Sequence, residues 1–168
     1  MMSNGKFSKE YEIIFMRINK SIPYFFIYYN FLPMTTEKNG LYIFEGLTQK
    51  EIAYFIMMSE MLSFKKGATI MSEWDVSDNR AYLIESGSVD VYRQGSKIST
   101  LEAGDIFGEM ALITNEARSA KIITNENTEV LAFERDEFLM LYKQSGLYED
   151  IKRQILLRVK ENFYSDKG

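Results

Sequence analysis

The 168-residue chain contains no cysteine and no histidine. Without thiols there are no disulfides, no thiolate metal sites and no cysteine nucleophile, a usage that suits a reducing compartment. The missing imidazole excludes more. Iron, zinc and copper sites of small β-barrel enzymes lean on histidine, as do Ser-His-Asp triads and the commonest general base near neutral pH. Carboxylates remain, but no pair stands in an acid/base arrangement, so the sequence offers no case for an enzyme. An excess of positive charge is missing too: 20 Lys and Arg stand against 24 Asp and Glu, a net charge of −4 with a pI of about 5.1. The adjacent basic pairs Lys65-Lys66 and Lys152-Arg153 are isolated, so no duplex nucleic-acid binding is expected and any anion must be captured locally. No run reaches the roughly 20 apolar residues that cross a bilayer as a helix. The aromatic run from Tyr24 to Leu32, bounded by Pro23 and Pro33 and interrupted by tyrosines and Asn30, reads as neither a transmembrane segment nor a signal peptide. A cytoplasmic location is the expectation.

What is present, 46% hydrophobic and 26% charged residues, suits one compact domain with a sizeable core. Residues 1–40 read as an aromatic-rich extension that packs as an N-terminal helix or faces a partner, with membrane-surface contact and a natural start at Met34 as the alternatives. Thr48 is a candidate N-cap for a helix from Gln49 to Met61, with Ile52, Phe55 and Ile56 on its apolar face. After Gly67 the period changes to two. Short alternating segments run through Thr69–Met71, Tyr82–Glu85, Ser88–Tyr92, Lys97–Leu101, Lys121–Thr124 and Glu129–Phe133, separated by Gly87, Gln94-Gly95 and Gly104-Asp105. Helical spacing returns over Asp136 to Lys143, Gly146 breaks it, and a second stretch carries Ile151, Ile155, Val159 and Phe163 at intervals of four. The expected fold is mainly β with flanking helices: a β-sandwich or jelly-roll-like β-roll with a helix before it and two helices after.

The chemistry concentrates between Phe107 and Ala120, which read Phe-Gly-Glu-Met-Ala-Leu-Ile-Thr-Asn-Glu-Ala-Arg-Ser-Ala. Gly108 lets backbone approach an anion, and the apolar segment after it opens a helical turn with free N–H groups. Arg118 can fork onto phosphate oxygens, while Glu109 can accept from a sugar hydroxyl and would repel a phosphate. Taken alone, an arginine such as Arg118 is more often a solvated surface residue or an ion-pair partner, here of Glu109, than a ligand contact.

Gly108-Glu109-Met110-Ala111-Leu112 followed by Arg118-Ser119-Ala120 resembles the phosphate-binding cassette of cyclic-nucleotide-binding domains, the family that includes the ligand domain of the catabolite activator protein and the regulatory subunits of cyclic-nucleotide-dependent kinases. The likeness extends back through Leu101–Ile106 and loosely to Phe44–Leu47, so that residues 41–163 form the domain and 164–168 a tail. It implies a double-stranded β-helix or β-roll whose last helix closes over the ligand. It also implies Glu109 on the ribose 2′-hydroxyl, Arg118 on the exocyclic phosphate oxygens, and the backbone of Met110 and Ala111 with Ser119 completing the cradle, over a floor kept open by Ala111 and Ala120. Val91, Ile98 and Leu101 match positions lining sugar and base, and serve equally well as ordinary core. Ala117 departs from the proline or threonine many members carry there.

The resemblance implies a regulatory domain without catalysis or cofactor, whose ligand is cAMP or cGMP; Ser119 fits either, with the balance toward cAMP. Lid candidates on the last helix are Arg153, Leu156, Leu157, Phe163 and Tyr164. Five residues follow Phe163, too few for a helix-turn-helix reader. The expectation is a free-standing sensor that signals to a separate effector protein by movement of its last helix. The Ile151–Phe163 stripe either covers the domain's own β-roll or pairs with its copy in a homodimer. A structural interaction module that keeps the fold and no longer binds nucleotide is the alternative.

Overall fold

The computed structural model describes residues 41–164. The aromatic run at 24–32 and the tail after 164 lie outside the described residues, as do the side chains of Phe163 and Tyr164. A 3-10 turn, Leu41–Phe44, precedes helix α1, Gln49–Met58. Thr48 caps α1 as its sequence position predicts: its hydroxyl accepts the Glu51 N–H at 3.3 Å while the Glu51 carboxylate accepts the Thr48 N–H at 2.7 Å. The helix stops at Met58, short of the expected Met61, where Ser59 turns extended and donates its hydroxyl to the Ile56 carbonyl at 2.6 Å. Glu60–Phe64 instead form strand β1, with Met61 and Leu62 opposite Leu131 and Val130. A strand partner this distant in sequence outweighs the local helical pattern and ends the helix three residues before its sequence period does.

The other strands are β2 (Thr69–Met71), β3 (Arg80–Ser86), β4 (Ser88–Arg93), β5 (Ser96–Glu102), β6 (Ile106–Phe107), β7 (Lys121–Thr124) and β8 (Thr128–Glu134). They form two four-stranded sheets, ordered β1-β8-β3-β6 and β2-β7-β4-β5, with antiparallel pairing throughout. The two-residue strand β6 has no sequence signal of its own, since no period can be read from two residues. β4 and β5 join through Gln94 (φ 50) and Gly95 (φ 80), the doubly left-handed turn that suits the twist of a two-residue hairpin. Tyr82, Ile84, Phe107, Val130 and Ala132 of the first sheet meet Val89, Val91 and Ile122 of the second in one core. The outer face of the first sheet is covered as well. Phe133 stacks on Phe55 at 4.6 Å, and Phe44 meets both rings edge-on at 6.0 and 6.2 Å.

Helix α2, Arg135–Ser145, ends at Gly146 where the sequence breaks, and α3 covers Tyr148–Tyr164. Ile151 and Ile155 are buried, where α3 packs on α2 and on a second 3-10 turn, Glu109–Leu112. Burial of each isoleucine contributes about 1.5 to 3 kcal/mol. The first half of the apolar stripe is thus consumed inside the domain. Among the described residues no helix is long and apolar enough to cross a membrane, and no group of three or more acidic residues is placed to hold a metal ion.

Candidate functional site

Gly108 links β6 to the Glu109–Leu112 turn at φ 73, in the left-handed region. A Cβ there would stand 2.8 Å from Arg118 Nη1 and 3.3 Å from the Arg80 carbonyl oxygen, so glycine is demanded by space and by backbone alike. Arg118, only 5% exposed, precedes β7 and lies directly against this turn. Its Nη1 donates to the Gly108 carbonyl at 3.2 Å, its Nη2 donates to the Arg80 carbonyl at 2.8 Å, and the same Nη2 pairs with the Asp78 carboxylate. A guanidinium offers five N–H groups. Three protein acceptors therefore orient the fork without exhausting its capacity to take an anion.

The arginine's ion-pair partner is thus Asp78, from the loop before β3, and not Glu109. Asp78 also accepts the Tyr82 hydroxyl at 2.5 Å and the Arg80 N–H at 3.2 Å. Burial alone would raise its carboxyl, but the Tyr82 hydroxyl, the Arg118 charge and the Arg80 N–H hold it below its ordinary value. The main chain is tied as well: Trp74 N–H donates to the Arg118 carbonyl at 2.8 Å, and Arg118 N–H donates to the Asp75 carbonyl at 2.9 Å.

Glu109 is 8% exposed, and burial pushes its carboxyl up to about 7 against the opposing pull of its own N–H, Arg158 and Arg118. Arg158 comes from α3 and lies 4.3 Å above the Tyr42 ring. The buried Tyr42 and Tyr142 hydroxyls have no hydrogen-bond partner among the described residues. Ala111 spends its N–H inside the turn, donating to the Gly108 carbonyl at 3.1 Å, so the backbone contribution expected of it is already in use.

Gly108, Glu109, Arg118 and Arg158 line one cavity of about 650 Å³, a size that suits a small organic ligand. The cassette residues Gly108, Glu109, Met110, Ala111, Arg118, Ser119 and Ala120 all line it, and so do Val91, Ile98 and Leu101. The helix candidates divide. Leu156 lines the cavity, whereas Arg153 and Leu157 line a separate groove, with Arg153 paired to Asp150. Sequence reasoning missed Arg158 and Val159, which also line the cavity. They stand three and four residues after buried Ile155, so the helical period could have found them, while Arg153 and Leu157 fall on the opposite face. Asp78 carried no comparable signal, because its approach to Arg118 depends on how β3 and β7 are placed.

Comparison with known proteins agrees with this fold. The cyclic nucleotide-binding domain family matches residues 61–145. A cGMP-dependent protein kinase of Plasmodium berghei is 33% identical over 118 residues, 68% of this chain and 14% of its own length. A cAMP-dependent protein kinase regulatory subunit of Aspergillus niger is 34% identical over 97 residues, 56% of this chain and 23% of its own. The crystal structure of the Thermus thermophilus catabolite activator protein superposes with a TM-score of 0.63 at 28% identity, covering 71% of this chain and 58% of that one. The chain therefore spans under a quarter of the two kinase-related relatives and a little over half of the solved regulator. A mainly antiparallel β-roll with flanking helices, a matching sequence profile and a glycine-arginine cradle at the cavity lead to one conclusion: the chain belongs to the cyclic nucleotide-binding domain family, whose domains regulate and do not catalyse.

Proposed function

We propose that this domain binds a cyclic nucleotide, cAMP or cGMP, in the cavity above Gly108 and works as a free-standing sensor. The observation that carries the reading is the convergence of Arg118, Glu109 and the Val91-Ile98-Leu101 wall on one cavity. Arg118 takes the cyclic phosphate, Glu109 accepts the ribose hydroxyl, and Ser119 offers one hydroxyl to phosphate or base, with the balance toward cAMP. Arg158, Leu156 and Val159 bring α3 to the same cavity, so ligand contacts there bias the position of that helix. A separate effector protein reads that position. A charge-assisted contact contributes about 1.5 to 3 kcal/mol, enough to shift a two-state equilibrium about tenfold to a hundredfold.

One observation favours a second reading. Arg118 already has three protein acceptors, Asp78 among them, as a purely structural arginine would. In that case the fold serves as an interaction module without nucleotide. Titration of the single tryptophan's fluorescence with cAMP and cGMP separates the two, because the Trp74 backbone is bonded directly to Arg118. A saturable signal supports the sensor, and its absence at millimolar nucleotide, with no heat by calorimetry, supports the module.

A further inference from the structure

Two exposed apolar features stand outside the cavity. The first is the loop at 72–79, where Trp74 is 72% and Val76 92% exposed. Trp74 has φ 71, a conformation bulky side chains rarely adopt, held by its N–H bond to the Arg118 carbonyl. That bond, with the Arg118 N–H donating to the Asp75 carbonyl at 2.9 Å, fixes the backbone of the loop at Trp74 and Asp75. It carries Glu73, Asp75 and Asp78 and no lysine or arginine. The second feature is a groove of about 270 Å³ on the outer side of α3, lined by Glu149, Lys152, Arg153, Leu156, Leu157 and Lys160. Leu156 and Leu157 are 44% and 53% exposed there, among three cations and one anion on a chain of net charge −4.

We propose that the Trp74 loop of one copy seats in the α3 groove of a second copy of this chain. With Asp78 paired to Arg118 and Arg153 to Asp150, the loop brings Glu73 and Asp75 against Lys152 and Lys160 of the rim, a charge complementarity that favours this pairing over other contacts between like-charged molecules. The exposed Leu156-Leu157 stripe offers apolar surface, and the loop presents an indole on a backbone fixed at Trp74. Trp74 does not occupy its own chain's groove, since it stands 72% exposed. In a twofold arrangement each copy gives a loop and receives one, so two equal contacts form and the assembly closes. The contact is small and its association accordingly transient. Leu156 and Lys160 line both groove and cavity, which sets the partner's indole beside the cavity mouth.

Sedimentation velocity of the full 168-residue chain over a range of concentrations tests this, with or without a nucleotide ligand. Reversible dimerisation is expected, weakened at least tenfold by Trp74→Ser and by Leu157→Ser. Both side chains are exposed, so each variant keeps the parent melting temperature. An equimolar mixture of the two variants recovers one of the two contacts and associates more tightly than either variant alone. A chain monomeric at every concentration, a dimer indifferent to Trp74→Ser, or a mixture no tighter than its components overturns the proposal.

Discussion

Burial sets the charge state of Glu109, and with it the pH behaviour of the empty fold and of the loaded site. Folded Glu109 holds its proton up to about 7, against 4.5 for an ordinary glutamate. Between those values the native state binds more protons than the unfolded chain, so stability conferred at low pH is lost as pH rises from about 4.5 to about 7. Glu85, pushed up to about 7 by burial and then by Glu129, adds a slope of the same sign. Melting temperatures of the ligand-free protein should therefore fall across this interval, and Glu85→Gln should flatten part of the decline. Nucleotide binding should run the other way. An ionised carboxylate is the stronger acceptor for a ribose hydroxyl, so affinity falls as pH drops below about 7, approaching tenfold per unit, and Glu109→Gln binds more weakly with a flatter profile. Gly108→Ala tests the cradle itself. The left-handed backbone alone costs about 1 to 2 kcal/mol, and the added methyl displaces the guanidinium, so denaturant melts and nucleotide affinity should both weaken.

At the scale of elements, α1 and α3 separate fold from function. Thr48→Ala removes the capping box far from the cavity, and chemical denaturation should show a loss of about 1 kcal/mol with nucleotide affinity unchanged. Arg158→Leu acts on both. It breaks the contact with Tyr42, worth about 0.5 to 2 kcal/mol, and withdraws a positive charge from Glu109, so hydrogen exchange in α3 should speed up while Glu109 becomes harder to ionise. These two cases also show what the sequence could disclose. The cap, the hairpin at Gln94-Gly95 and the run from Gly108 to Ala120 are local, each decided by residues within a turn or two, and they are legible. β1 and the Asp78 pairing depend on partners far along the chain, and Arg158 required knowing which face of α3 turns inward.

At the scale of the described residues as a whole, two sheets enclose an apolar core, a helical layer covers one of them, and one cavity is lined by both Glu109 and Arg118. The net charge of −4 leaves no general attraction for polyanions, so a gel-shift assay with duplex DNA at physiological salt should show no complex. In the proposed site, capture of an anion centres on Arg118. Isothermal titration of the wild type and of Arg118→Ala with cAMP and cGMP, each protein first shown folded by circular dichroism, is the most direct measurement. The account predicts one saturable site in the wild type, weakened by about 2 to 5 kcal/mol in the variant because the phosphate loses its paired charge. Equal affinity in the two proteins, or no saturable heat from the folded wild type at millimolar nucleotide, would contradict it.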